Sequence, residues 1–150
     1  MNFRTAVART SSLGADRYHP GLQALGRYSD KVRCRRDRDC FTGSVDLNEV
    51  FPNSPWDYGI GFREGVQEVA LWIEPHPAYT SEVAIFLKKL TWLKDWLRAE
   101  ATELWKLTQK SSEPYRWLAT GSVHIVKNSR QAKQLREAGV PFPREIIELK

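Results

Sequence analysis

Cysteine is scarce in this sequence, and that scarcity narrows the available chemistry. Two cysteines, Cys34 and Cys40, in 150 residues do not make a disulfide framework. Reduced thiols in a cytoplasmic protein are the expectation. The three histidines, His19, His76 and His124, are scattered and do not join the cysteines at zinc-finger spacing. No apolar run approaches the ~20 residues needed to cross a bilayer, and the start of the chain lacks a secretory apolar segment. No membrane partner is therefore expected. Met1 to Leu13 contains Arg and Ser and no acid, so a short organelle transit peptide is the lesser reading of that stretch. A Gly-x-x-x-x-Gly-Lys phosphate loop, a Gly-x-Gly-x-x-Gly fingerprint and a Gly-x-Ser-x-Gly elbow are all missing, which argues against the nucleotide-binding and serine-nucleophile classes they mark. No internal repeat is evident.

What the chain does contain is apolar and basic. With 41% hydrophobic and 11% aromatic residues it can bury a core as one domain. A formal charge of +5 and a pI near 9.4 favour an anionic partner, nucleic acid or another phosphate-bearing molecule, although such charge also serves solubility. Arg33, Arg35, Arg36 and Arg38 crowd against Asp37 and Asp39. This mixture is either a solvated loop with internal ion pairs or a nucleic-acid contact, since guanidinium forks suit phosphate geometry.

The periodicities outline an α/β domain over residues 20–150 behind a loosely ordered N-terminal arm, residues 1–19. Leu25, Tyr28 and Val32 recur at helical spacing, which predicts a helix from about Pro20 to Cys34. Val45, Leu47 and Val50 suggest a short strand, and from it Asp46 or Glu49 could approach Asp57. A long helix is expected from Thr80 or Ser81 to about Gln109, with Val83, Phe86, Leu90, Leu93 and Leu97 on its buried stripe and Trp92 and Trp96 widening it. Lys88 and Lys89 lie on its remaining face. Tyr115 to Val126 reads as a strand with a bulge or turn at Gly121-Ser122, and Asn128 or Ser129 caps a short helix that Gly139 ends. Glu145 to Leu149 is the last expected strand.

The most informative stretch is the hairpin between Asp57 and Glu74. Tyr58, Ile60 and Phe62 alternate with Gly59, Gly61 and Arg63, and Val69, Leu71 and Ile73 alternate with Ala70, Trp72 and Glu74. Pairing Arg63 with Glu68 puts opposite charges together, sets Gly59 against the Trp72 indole, and brings Asp57 beside Glu74. One reading of Asp57 and Glu74 is a pair of solvated strand-end carboxylates. The other is a divalent-metal site, because two carboxylates suit Mg²⁺ and leave positions for water and phosphate. Pro75 and Pro77 stop the ladder and hold His76 just beyond it.

This order of elements, with Trp56-Asp57 opening the second strand of a meander and Glu74-Pro75-His76 ending the third, resembles the restriction-endonuclease-like, or PD-(D/E)XK, nuclease superfamily. The resemblance spans about residues 20–126 and implies a central mixed sheet flanked by helices, with Asp57 and Glu74 as ligands of Mg²⁺. It places His76 where the family has lysine, and Lys88 or Lys89 as a substitute for that lysine. The function implied is metal-dependent phosphodiester hydrolysis on a nucleic acid. The alternative is a non-catalytic nucleic-acid-binding or regulatory module on the same scaffold. A third is an interaction protein that pairs with a partner or with itself as a homo-oligomer.

Overall fold

Alternation of apolar and small residues builds the centre of the molecule, which a computed structural model describes for residues 1–36 and 38–150. In chain order the elements are helix α1 (Phe3–Arg9) and strands β1 (Val32–Cys34), β2 (Phe41–Asp46), β3 (Tyr58–Glu64) and β4 (Gln67–His76). Helices α2 (Val83–Glu100) and α3 (Thr102–Gln109), strand β5 (Tyr115–Ala119), helix α4 (Arg130–Glu137) and strand β6 (Ile147–Leu149) follow. They make one α/β domain. Its main sheet is four-stranded and mixed, in the order β2-β3-β4-β5, with β5 parallel to β4 and the other pairs antiparallel. A parallel pair, β1 with β6, forms a second small sheet. Among the described residues no helix is long and apolar enough to cross a membrane.

The hairpin takes the expected register, with Arg63 opposite Glu68, Gly61 opposite Ala70 and Gly59 opposite Trp72. Pairing extends one step further, to Glu64 with Gln67, so the turn is the two residues Gly65-Val66, with Gly65 at φ +66°. Each face of the hairpin then covers a different core. Ile60, Phe62, Val69, Leu71 and Ile73 pack on Leu25, Val32, Ile147 and Leu149. The other face, with Ala70 and Trp72, carries α1, α2 and α3. Its glycines are there for space. A Cβ on Gly59 would lie 2.4 Å from Cζ3 of Trp72, and one on Gly61 would lie 2.6 Å from Cβ of Phe3. Within α2, Phe86, Leu90, Leu93, Trp96 and Leu97 are buried as expected, and Trp92 stacks on Trp96.

The structure corrects several expectations. The N-terminal arm is not loose at its start: Asn2 caps α1 by accepting from Thr5 N at 2.8 Å, and Phe3, Ala6 and Val7 are fully buried on the face that Gly61 opens. Residues 20–34 form no α-helix. Gly21 and Gly26 both sit at φ +53°, which a right-handed helix forbids, so the segment is a kinked series of 3₁₀ turns leading into β1. The long helix breaks at Ala101 (φ −135°), and α3 turns to cover β4 and α1. The strand after Pro114 ends at Ala119, and the one near Val45 ends at Asp46, whose side chain caps a 3₁₀ turn over Leu47–Glu49. Cys34 and Cys40 are joined as a disulfide instead of standing as reduced thiols, with their Cα atoms 6.4 Å apart. Ser129 caps α4 through Ala132 N, and Gly139 ends it at φ +76°. Asp37, part of the arginine-rich stretch, lies outside the described residues.

Candidate functional site

Trp56 fixes the entrance to β3. Its indole is fully buried beside Phe86, 5.4 Å between centroids, and its Nε1 donates to the Tyr58 carbonyl at 3.2 Å. Asp57 is thereby held at the sheet end, where its backbone N–H donates to Oε1 of Glu74 at 2.8 Å. Glu74 lies two residues before the end of β4, which runs through Pro75 to His76 beside β5 instead of stopping at the proline; it shares the Trp72 face by strand parity and is only 2% exposed. The helix that covers this face supplies the cation. Lys89 of α2 places Nζ 3.2 Å from Oε2 of Glu74 and donates to the Pro55 carbonyl at 3.1 Å. One ammonium thus ties β4, the loop before β3, and α2 together.

A second layer of acids lies behind Asp57. Asn48 Nδ2 donates to Oδ1 of Asp57 at 2.9 Å and to Oδ1 of Asp46 at 3.0 Å. Of the two acids that could have approached Asp57, it is therefore Asp46 that does so. Glu49 turns away to His19, at 2.7 Å, and to Arg17, at 3.9 Å.

The electrostatics of this end are dominated by negative charge held away from water. Burial, and then the neighbouring Asp57, push the Glu74 carboxyl up to about 8, while Lys89 and the Asp57 N–H pull the other way. Burial, Asp46 and Asp57 likewise push Tyr58 up to about 12. His76 is driven the opposite way, since burial favours its neutral ring over the help that Glu82 gives the charged one. Its Nε2 is sealed from solvent with no hydrogen-bond partner, 3.5 Å from Oε1 of Glu82 but not aligned with it. The ring packs edge-on to Trp117, whose Nε1 donates to the His76 carbonyl at 2.9 Å.

A carboxyl that holds its proton up to about 8 in the fold, against 4.5 unfolded, makes the folded state the better proton binder between those values. Stability should therefore fall as pH rises through that window. Glu74→Gln removes the titration. In chelator, melting curves across this range should show the variant gaining on wild type from 4.5 to about 8 and levelling above it. A difference independent of pH would mean that Glu74 ionises as an ordinary surface acid.

The structure thus brings Asp57, Glu74, His76 and Lys89 to one end of the sheet and leaves the other proposed residues elsewhere. Lys88 is exposed beside Lys89. Arg33 and Arg35 belong to β1 and its exit, which pack on the opposite face of the sheet. Arg33 donates to the Asp30 carbonyl, Arg35 pairs with Glu148 at 3.0 Å, and Arg36 bonds the Arg63 carbonyl while lying over the Phe62 ring. The side chain of Arg38 lies outside the described residues. The sequence reading missed Asn48, whose amide bridges two acids, and the part of Glu82 beside His76. Neither carried a motif, because each is positioned by a turn packed from another part of the chain.

Whether these residues fit a metal can be judged from the donors. Asp57 and Glu74 offer hard oxygen ligands in a region with more negative charge than Lys89 alone offsets, which suits Mg²⁺ or Mn²⁺ better than a soft metal. Among the described residues no group of three or more His, Cys, Asp or Glu side chains is arranged to hold an ion, so water or phosphate oxygens would complete the shell. Comparison with protein-family models, with curated proteins and with solved structures finds no match.

Proposed function

We propose that the chain is a Mg²⁺-dependent nuclease-like protein that hydrolyses phosphodiester bonds, built on a restriction-endonuclease-like scaffold. The observation that carries this reading is the hydrogen bond joining Asp57 to Glu74 at one sheet end with the Lys89 ammonium against the same carboxylate. The strand order supports the scaffold: an antiparallel meander, a covering helix and a fourth strand parallel to the third. In this arrangement α1 is the helix that precedes the meander, in place of the segment at residues 20–34.

Asp57 and Glu74 would hold the ion, with Asn48 keeping the Asp57 carboxylate in place. Bound there, Mg²⁺ would lower the pKa of water and polarise the phosphoryl oxygens. Lys89 would take the role of the family's lysine, although it comes from α2 and not from the strand. Its ammonium, anchored on the Pro55 carbonyl, can steady negative charge on the phosphate. His76, kept neutral by burial and with its ring nitrogen sealed beside Glu82, does not replace that charge. The basic chain favours nucleic acid as the substrate.

One observation favours a second reading, a binding or regulatory module without catalysis. Both Glu74 oxygens already have partners inside the protein, which would make the Lys89 pair a structural tie. Labelled single- and double-stranded DNA and RNA, incubated with Mg²⁺, Mn²⁺ or chelator, separate the two. Cleavage of at least one substrate that stops in chelator is the expected result. Binding without cleavage of any of them in either metal would leave only the module.

A further inference from the structure

A groove of about 500 Å³ is bordered by β5, the β1–β6 pair and the loop after α4, where Arg33, Arg35, Arg116, Arg144 and Lys150 line it with Glu113 and Glu148. The two acids are taken. Glu148 pairs with Arg35 at 3.0 Å and Glu113 with Arg116 at 3.8 Å. Arg33 and Arg144 have no acidic partner among the described residues. Arg144 nevertheless stands close enough to Arg116 to oppose its charge, and Arg116 is mostly buried, with Nε fixed on the Glu113 carbonyl at 2.9 Å. Glu64 also favours the charge on Arg116 from outside the groove. Like charges so assembled repel one another, and Arg116, the least exposed of them, is deprived of much of the water that would screen it. An anion relieves both costs. Phe142, which is 38% exposed, and Pro141 add an apolar wall to the same space.

Guanidinium forks bind phosphate oxygens in bidentate pairs, and a concave site of this size admits a body no larger than a small molecule. We propose that this groove binds a terminal phosphate, held by Arg33, Arg116 and Arg144, with a nucleoside-sized body resting on Phe142. The dianion of a terminal phosphate answers the two uncompensated arginines, which the single charge of an internal diester does not. The phosphate can be that of a free nucleotide or of a 5′-phosphorylated strand end. This site is independent of the carboxylate end and does not rest on the nuclease reading.

Isothermal titration of the full chain in chelator at low salt tests it, with adenosine monophosphate, adenosine and inorganic phosphate, and with one oligonucleotide carrying either a 5′-phosphate or a 5′-hydroxyl. The monophosphate should bind, adenosine should not, and inorganic phosphate should compete. Arg144→Gln, at an exposed position, should weaken binding about tenfold or more, as loss of a charged hydrogen bond does. Arg116→Gln should do the same, with circular dichroism reporting its fold. A 5′-phosphate that strengthens oligonucleotide binding names the strand end as ligand, whereas binding of the monophosphate with no difference between the oligonucleotides names the free nucleotide. Adenosine binding as well as its monophosphate, wild-type binding by Arg144→Gln, or no binding of any phosphate would overturn the proposal.

Discussion

Asp57→Asn is expected to abolish Mg²⁺-dependent cleavage while leaving metal-free binding of nucleic acid intact or strengthened. The substitution keeps the shape of the side chain and an oxygen for Asn48 to donate to, and the backbone N–H that bonds Glu74 is untouched. What it removes is one full negative charge. A divalent ion then loses an ionic ligand, and the loss should exceed the roughly 10–100-fold that removal of an outer-shell partner costs. The same missing charge no longer repels a phosphate backbone, which accounts for the opposite effect on binding. Cleavage rate and binding affinity, measured on the same labelled substrate, read the two effects separately. A variant that cuts at the wild-type rate would show that the Asp57 carboxylate takes no part in the chemistry.

Gly59→Ala should destabilise the sheet markedly. The new methyl would fall 2.4 Å from Cζ3 and 2.8 Å from Cε3 of Trp72, well inside contact distance. The indole has no easy retreat. It is fully buried, its Nε1 donates to Thr108 Oγ1 at 2.9 Å, and its ring meets Trp96 edge-on. Overpacking of this kind costs about 1–3 kcal/mol, with a fall in Tm of about 2–4 °C for each kcal/mol in a chain of this size. Thermal denaturation of Gly59→Ala, Trp72→Phe and the double variant checks the cause. The smaller ring should relieve part of the clash, so the double variant should lose less than the sum of the singles. Strict additivity would mean that the methyl is accommodated by the backbone and not by the indole.

The hairpin was legible in the sequence because a period of two, a Gly59–Trp72 pair and an Arg63–Glu68 pair all require one register, and that register brought Asp57 to Glu74. The apolar stripe of α2 was legible for the same kind of reason. What the pattern could not supply was reach across the fold. Lys88 and Lys89 look equivalent in sequence, and the rotation of α2 on the sheet sends Lys89 to Glu74 while Lys88 stays in solvent. The arginine-rich stretch could be read only as a solvated loop or a nucleic-acid contact, and its place relative to Asp57 was not legible: β1 belongs to the layer on the other face. The spacing of Leu25, Tyr28 and Val32 suggested a helix only because spacing carries no information about φ, and Gly26 breaks it. In α1 the signal was present but short, since Phe3, Ala6 and Val7 span a single turn behind the Asn2 cap.

The claim on which the rest depends is that Asp57 and Glu74 act together as one cation site. The direct measurement is calorimetric titration of Mn²⁺ and Mg²⁺ into the metal-free full chain, wild type and Asp57→Asn, above the pH of about 8 at which Glu74 gives up its proton. Saturable binding of one ion per chain to wild type, lost in the variant, is the result the account predicts. The absence of binding to wild type, or binding that Asp57→Asn leaves unchanged, would contradict it.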